Sequence, residues 1–79
     1  MVTPESIQTN IAQGMATEYL NVSGDGQHFE AVVVSEAFSG KSRVQRHQLV
    51  YQTLGDRMRD EIHALSMKTY SPQEWQSQK

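Results

Sequence analysis

Apolar positions near the start of the chain recur with the period of an α-helix. Ile7, Ile11 and Met15 follow one another at intervals of four residues, which places them on one side of a helix. Residues 3–5 (Thr-Pro-Glu) supply a capping side chain, a proline suited to the first helical position and an acidic group for the positive end of the helix dipole. The pattern therefore predicts a helix that begins near residue 4 and that Gly14 weakens near its end.

The next segment has the alternation and turn residues of a β-hairpin. Residues 19–23 (Tyr-Leu-Asn-Val-Ser) are rich in types that favour strands, and Gly24-Asp25-Gly26 is a strong turn signal. Residues 28–35 first alternate and then become apolar on both faces, as in a strand that lies inside a sheet. Two strands joined by this glycine turn are predicted to pair with each other.

A second helix is predicted after the loop at residues 38–42, with Ser42 as its cap. From Arg43 the apolar period becomes helical, and Gly55 predicts a break or a kink in the helical section, which ends at residues 60–61. The predicted shared face consists of His47, Val50, Tyr51, Leu54 and Met58, with Val44 beside it.

The end of the chain predicts one more strand and one more helix. Residues 62–70 read as a strand, with His63, Leu65, Met67 and Thr69 on one side. Residues 71–74 (Ser-Pro-Gln-Glu) form a capping box that starts a short helix, and the polar tail 76–79 is expected to fray. The order helix, strand, strand, broken helix, strand, helix predicts one α+β domain over residues 1–79, with a small three-stranded sheet packed against helices.

The composition fits one small soluble domain. Hydrophobic residues make up 37% of the 79 positions and charged residues 20%, and the formal net charge is −2. That charge argues against bulk electrostatic capture of nucleic acid, although a local basic patch remains possible. The longest apolar run, residues 31–34, is far too short to span a membrane, and no signal peptide is visible, so we expect a cytoplasmic protein without a membrane partner.

The absence of cysteine limits the chemistry that this chain can perform. It excludes a disulfide framework, a thiolate ligand and a thiol nucleophile. The sequence also lacks a nucleophile elbow, a phosphate-binding glycine loop and a pair of histidines at helical metal-site spacing. These observations argue against an enzyme and leave three histidines, together with the carboxylates, as the candidates for chemistry.

The three histidines have different surroundings in the sequence. His28 follows the hairpin turn, where it is either an exposed loop residue or a metal ligand on a glycine-rich loop. His63 begins the last strand, where a hydrogen-bonded structural role and a ligand role are equally consistent with the pattern. His47 lies on the apolar face of the second helix, which favours a packed structural histidine.

Basic residues cluster around the start of the second helix. Lys41, Arg43 and Arg46 form either a solvated surface or a contact for phosphates, as in KH-type modules. A KH loop needs two glycines around two variable residues, and the loop at residues 38–42 contains one glycine. Because no exposed aromatic platform accompanies these residues, they are only a weak indication of nucleic-acid binding.

Three blocks in this order resemble the BolA family, and in particular its short bacterial IbaG-type branch. They are SGDGQHFEAVVVS at residues 23–35, FSGKSRVQRHQLVYQTLGDRM at residues 38–58 and IHALSMKTYSPQEW at residues 62–75. The resemblance extends over almost the whole chain, from about residue 7 to residue 75. It implies a three-stranded sheet backed by helices, similar to the class II KH fold.

The resemblance also implies a function. Proteins of this family are adaptors that partner monothiol glutaredoxins, and the complex holds a 2Fe-2S cluster that a glutaredoxin cysteine and glutathione also bind. The family's histidine at the start of the last strand corresponds to His63. The second ligand comes from the loop between the first two strands, where His28 is the candidate, while the cysteine of other members lies several residues earlier, near Asp25. No cluster is expected on the isolated chain.

A second function remains open beside the adaptor. Some relatives in the family are linked to transcription, so a nucleic-acid-binding regulator that uses the KH-like fold and the residues Lys41, Arg43 and Arg46 is the alternative. Neither the particular glutaredoxin nor the choice between monomer and homodimer follows from the sequence. Cluster trafficking, iron sensing and a stress response all remain compatible with the adaptor.

Overall fold

The computed structural model describes residues 2–56, 62 and 64–78. Within these residues the chain forms three α-helices, one short 3-10 helix and a three-stranded sheet. In chain order the elements are α1 (Pro4–Gly14), β1 (Tyr19–Gly24), β2 (His28–Val34), the 3-10 helix (Glu36–Phe38), α2 (Arg43–Leu54), β3 (Ala64–Tyr70) and α3 (Pro72–Gln78). The predicted α+β fold and its order of elements are confirmed.

The sheet has the strand order β1-β2-β3. β1 and β2 are antiparallel and form the predicted hairpin, whereas β2 and β3 are parallel, as the connection through α2 requires. β2 lies in the centre of the sheet, and towards its end both faces are covered, since Val33 and Val34 are buried and Val32 is half-buried, which accounts for the uninterrupted apolar run at residues 31–34.

The hydrophobic core lies between one face of the sheet and the helices α1 and α2. Phe29, Ala31 and Val33 point from β2 into this layer, and α1 contributes the predicted pair Ile7 and Ile11. Burial of apolar surface here supplies most of the driving force for folding. The other fully or nearly fully enclosed apolar side chains of this cluster are Val2, Val22, Phe38, Val50, Leu54 and Ile62.

The opposite face of the sheet is covered at one end only. Tyr19, Val34 and Tyr70 lie side by side in the strand register. Trp75 of α3 stacks on Tyr19 with ring centroids 5.0 Å apart, and its centroid lies 5.4 Å from that of Tyr70. These aromatic rings lie around Val34, which is fully buried although it points away from the main core.

Each α-helix begins at a polar capping residue. The Thr3 side chain accepts a hydrogen bond from the Ser6 backbone N–H, and the Ser6 hydroxyl oxygen accepts one from the Thr3 N–H, both at 3.1 Å. Ser42 and Gln45 exchange the same pair of bonds at the start of α2. The predicted caps at Thr3 and Ser42 are confirmed, and both are reciprocal capping boxes.

The predicted face of α2 is wrong in part. Val50 and Leu54 are buried as expected, but Val44 is 66% exposed and Tyr51 is 38% exposed. Leu49, which the predicted face omits, packs against the core instead. A helix turns by about 100° per residue, so a core stripe centred on Val50 and Leu54 leaves Val44 and Tyr51 on the adjacent, exposed side.

The boundaries around β3 differ from the sequence prediction. α2 ends at Leu54, where Gly55 adopts a φ of 56° that glycine tolerates best, so the predicted break is confirmed. β3 starts at Ala64 rather than at residue 62, and Ile62 contributes to the core from outside the strand. Met58, His63 and the predicted end of the helical section at residues 60–61 lie outside the described residues.

The last helix and the loop before α2 also add detail to the prediction. α3 includes residues 76–78 of the polar tail, so the expected fraying of that tail stays a prediction. Directly before the predicted loop at residues 38–42, the chain forms a 3-10 turn (Glu36–Phe38) that is capped by Ser35 and that buries Phe38. No helix among residues 2–56, 62 and 64–78 is long and apolar enough to cross a lipid bilayer.

Candidate functional site

The hairpin turn is held by the carboxylate of Asp25. Its Oδ1 atom accepts hydrogen bonds from the backbone N–H groups of Gln27 at 3.0 Å and His28 at 2.9 Å. These donors, His28 first, lower the pKa of Asp25 because they stabilise the charged form. Gly26, with a φ of 100°, allows the chain to reverse direction. Asp25 therefore has a structural role in the turn.

His28 is the first residue of β2 and its side chain is exposed. Its carbonyl oxygen accepts a hydrogen bond from the Asp25 N–H at 3.2 Å, and the next residue, Phe29, is anchored in the core. The backbone of His28 is thus fixed on both sides while its imidazole remains accessible. This arrangement suits a ligand for a shared metal site, and that role stays a prediction.

His63, the other predicted ligand, lies outside the described residues. The register of the parallel strands pairs His28 with Ala64, the residue that directly follows His63 in the chain. In the described part of the chain, no three His, Asp or Glu side chains are grouped so that they could hold a metal ion.

His47 lies on α2 and is half-buried, as expected of a packed histidine. Its ring meets the ring of Tyr51 edge to face, with centroids 6.5 Å apart. Burial lowers the pKa of His47, and the positive charge of Arg43 lowers it further, so the neutral imidazole is favoured. The side chain also borders a cleft between α2 and β3.

Arg46 connects α2 to β3 and α3. Its guanidinium forms a two-pronged pair with the carboxylate of Glu74, with Nη1 2.6 Å from Oε1 and Nη2 3.2 Å from Oε2. Its Nε donates to the carbonyl oxygen of Lys41 at 2.9 Å, and Nη1 also donates to that of Thr69 at 3.3 Å. With only 12% of its side chain exposed, Arg46 is committed to internal contacts.

Glu74 receives hydrogen bonds from two directions. Besides Arg46, the backbone N–H of Ser71 donates to its Oε1 at 2.8 Å, and Ser71 Oγ accepts from the Glu74 N–H at 3.3 Å. This confirms the predicted capping box of α3. The Arg46 guanidinium first, and then the Ser71 N–H, lower the pKa of Glu74 from 4.5 to about 2.

A cleft of about 700 Å³, here called the basic cleft, opens between the start of α2 and the outer edge of β3. Lys41, Arg43, Arg46 and His47 line one side, and consecutive residues 67–70 line the other, with α3 at one end. The structure thus brings together the three predicted basic residues. Lys41 and Arg43 are exposed, and their contact with nucleic acid or a partner stays a prediction.

Sequence reasoning missed two charged residues of the basic cleft, Lys68 and Glu74. Glu74 was predicted as a capping residue, but its pairing with Arg46 joins positions 28 residues apart, which no local pattern indicates. Lys68 lines the cleft from β3. The alternation along the strand does place Lys68 on the side opposite Leu65 and Met67, so the signal for an exposed cation at the sheet edge was present.

Comparison with known proteins identifies the family. The family model for BolA-like proteins matches residues 2–74, nearly the whole chain. The chain belongs to the BolA family.

Other members of the BolA family are similar to this chain over different numbers of residues. The acid stress protein IbaG of Escherichia coli K12 is 43% identical over 70 residues, which cover 87% of this chain and 83% of that protein. The DNA-binding transcriptional regulator BolA of Vibrio cholerae is 53% identical over 53 residues, covering 67% of this chain and 50% of the regulator. The solved structure of a BolA homologue from Coxiella burnetii has a TM-score of 0.86 at 45% identity, over 96% of this chain and 99% of the homologue.

The Arg46 contacts predict a specific loss of stability in this member of the BolA family. We expect Arg46→Gln to lower the free energy of unfolding by about 1–2 kcal/mol, because it removes hydrogen bonds to two backbone carbonyls and a carboxylate. Arg43→Gln is the matched control, since Arg43 is exposed on the same helix. Urea unfolding followed by far-UV circular dichroism measures both. Equal unfolding midpoints for the two variants would contradict the prediction.

Acid is expected to destabilise the protein in two pH ranges. The folded state lowers the pKa of His47, so the unfolded state binds more protons just below pH 6.5 and stability falls there as the pH decreases. The folded state also lowers the pKa of Glu74 from 4.5 to about 2, so its contribution is complete above pH 4.5 and is lost as the pH falls towards 2.

Urea unfolding midpoints of the wild type and two variants, measured between pH 7 and pH 2.5, test this pH dependence. Glu74→Gln is expected to have a flatter profile below pH 4.5, and His47→Gln a flatter profile just below pH 6.5. Each variant serves as the control for the other, because each changes only one of the two ranges. A wild-type profile that runs parallel to that of Glu74→Gln below pH 4.5 would show that Glu74 does not contribute.

Proposed function

We propose that this chain is a non-enzymatic adaptor that binds a monothiol glutaredoxin and shares a 2Fe-2S cluster with it through His63 and His28. The observation that carries the proposal is the strand register, in which exposed His28 pairs with Ala64, the chain neighbour of His63. Membership in the BolA family supports the non-enzymatic part, because its matched members are named as a stress protein and as regulators.

The donor set of the chain is compatible with this role. The chain has no cysteine, so its histidines are the candidate ligands for the iron of a sulfide cluster, which prefers donors softer than carboxylate. Histidine serves as a ligand to 2Fe-2S iron in Rieske centres, where it raises the reduction potential by replacing negatively charged thiolate. The glutaredoxin cysteine and glutathione would supply the thiolates. Asp25 is the poorer donor, and its carboxylate is already used by the turn.

A cluster held partly by imidazole is expected to be sensitive to acid. Imidazole must be neutral to bind a metal, and histidine gains a proton within the physiological pH range. We therefore propose that the shared cluster is labile at mildly acidic pH, which would suit transfer or sensing. Trafficking, iron sensing and a stress response are the roles that such lability would serve.

The proposal is tested by mixing the chain with a monothiol glutaredoxin that carries its cluster and glutathione. Visible absorption and circular dichroism should change when the complex forms, because the cluster ligands change. His63→Ala is expected to abolish that change, and His28→Ala to alter the spectrum and the pH at which the cluster is lost. His47→Gln is the matched control, since His47 is the third histidine of the chain and lies on α2.

Two results would contradict the proposal. One is an unchanged spectrum together with no complex on gel filtration. The other is a spectral change that persists, with the same acid stability, when His28 and His63 are both replaced by alanine. Far-UV circular dichroism of each variant checks that a lost signal reflects a lost ligand and not an unfolded chain.

A second candidate is a nucleic-acid-binding regulator that uses the basic cleft. The exposed cations Lys41 and Arg43 favour it, and the matched Vibrio cholerae relative is named as a DNA-binding regulator. If phosphates bind there, the affinity for DNA in a gel shift should fall steeply as salt is added, and Arg43→Gln should reduce the slope of that dependence by about one. Binding that does not respond to salt would exclude this function.

A further inference from the structure

The two edges of the sheet differ in how they are covered. At the β1 edge the outward N–H of Val22 donates to Oε1 of Gln8 at 3.1 Å, so a side chain of α1 satisfies that backbone group. At the β3 edge the basic cleft is open beside residues 67–70. An uncovered edge presents unpaired backbone groups to any extended chain that can reach it.

The hydrogen bonds identify which backbone groups of β3 point outward. The Ser35 N–H donates to the carbonyl of Tyr70, so Tyr70 faces β2. Alternate residues of a strand face the same neighbour, so Met67 and Thr69 face away from β2. The bond from Arg46 Nη1 to the Thr69 carbonyl agrees with this assignment. Among the described residues, no group forms a hydrogen bond with the N–H or the carbonyl of Met67 or with the N–H of Thr69 on that side.

Cations flank this edge on both faces of the sheet. Lys41 and Arg43 are exposed on the helix side, and Lys68 is exposed on the opposite side. The carboxylate of Glu74 is already paired with Arg46 and does not neutralise them. A strand added to β3 would direct its side chains alternately to the two faces, so acidic side chains on either face would meet a cation.

We propose that the β3 edge is a docking site for an extended acidic segment of a partner protein, which adds to the sheet as a fourth strand. Such a segment matches both features of the site: its backbone supplies a donor and an acceptor for Met67, and its carboxylates meet Lys41, Arg43 and Lys68. A second copy of this chain fits less well, because pairing through two β3 edges would bring like charges together. A phosphate backbone fits less well because it has no N–H to donate to the Met67 carbonyl.

The test uses an acetylated peptide of about eight residues that alternates glutamate and valine, the length of an ordinary strand. In nitrogen-15 NMR spectra of the full chain, the peptide is expected to shift the amide signals of Met67 and Thr69 and to slow their exchange with solvent. Because all glutamates of this peptide lie on one face of an added strand, either Arg43→Gln or Lys68→Gln should weaken binding about threefold, as expected for one exposed ion pair. Gln13→Glu changes the net charge equally on α1 and should leave the affinity unchanged.

Two N-methylated versions of the peptide separate strand addition from simple charge attraction. One carries the methyl groups on the valine nitrogens and the other on the glutamate nitrogens, and in an added strand only one of these sets faces β3. One version should bind like the parent and the other about tenfold or more weakly. Equal binding by both versions would overturn the proposal, as would unchanged Met67 and Thr69 amides. Tighter binding of oligothymidylate at the same residues would assign the site to nucleic acid instead.

Discussion

Phe29→Ala is expected to leave the protein only marginally folded. Phe29 is 1% exposed and is the largest core side chain that β2 contributes. Truncating a buried phenylalanine typically costs about 3–5 kcal/mol, because the apolar contacts are lost and a cavity remains. A domain of 79 residues has a total stability of roughly 4–12 kcal/mol. The substitution therefore removes a large part of the free energy that keeps the chain folded.

Urea unfolding, followed by Trp75 fluorescence and far-UV circular dichroism, measures the effect. Phe29→Leu is the matched control, since it keeps an apolar side chain in the same place and is expected to lose much less. A loss of less than about 1 kcal/mol in Phe29→Ala would mean that the surrounding core collapses into the space, contrary to expectation. His28→Ala, one residue earlier on the exposed side of the strand, should hardly change stability.

This pair of neighbouring positions separates folding from function. Successive residues of a strand point to opposite faces, so Phe29 points into the core while His28 remains exposed. A variant at Phe29 would lose any activity through unfolding, whereas a variant at His28 would retain the fold. If His28→Ala keeps its unfolding midpoint but changes the spectrum of the glutaredoxin complex, the change is attributable to the ligand.

The elements that the sequence predicts correctly are those with strong local signals. The caps at Thr3 and Ser42, the glycine turn at residues 24–26 and the apolar run at residues 31–34 each depend on neighbours within a few positions. The hairpin is further determined by the alternation on both sides of its turn. Because these local signals all agree, the order of elements and the central position of β2 follow from the sequence.

The errors in the prediction arise where tertiary packing determines which side chains are buried or paired. The apolar positions of α2 form two adjacent stripes, and only contact with the sheet selects Val50 and Leu54 over Val44 and Tyr51 for burial. Likewise Arg46 looks like part of a solvated basic surface, but its pairing with Glu74 depends on α3 packing near the start of α2. Periodicity identifies which side chains share a face, and it does not identify which face another element covers.

The candidate site was predictable to a different degree for each residue. The turn predicts His28 at an accessible strand start, and the structure adds that Asp25 is occupied by the backbone of the turn. The basic cleft required the fold, because it joins the start of α2 to the edge of a strand that follows much later in the chain. The role of His63 rests on the family resemblance and stays a prediction.

Gly24→Ala is expected to disturb both the hairpin and the position of His28. A Cβ atom at this position would clash with the carbonyl oxygen of His28 and would lie 2.7 Å from a ring carbon of Phe29. Neither atom can yield easily, because the His28 carbonyl is bonded to the Asp25 N–H and the Phe29 ring is enclosed by the core. Overpacking of this kind costs about 1–3 kcal/mol, and the backbone contact favours the upper end.

A matched control variant shows whether the loss of stability is specific to Gly24. Ser23→Ala, at the exposed neighbouring position of β1, is the matched control and should change the unfolding midpoint very little. Because the clash is with the His28 backbone, Gly24→Ala should also shift the NMR signals of His28 and of the turn more than those of α1. If His28 is a cluster ligand, the spectrum of the glutaredoxin complex should then change although both histidines are present. A stable Gly24→Ala variant with unchanged His28 signals would contradict this prediction. It would mean that the turn accommodates a methyl group and that the close approach of the two strands does not require glycine at position 24.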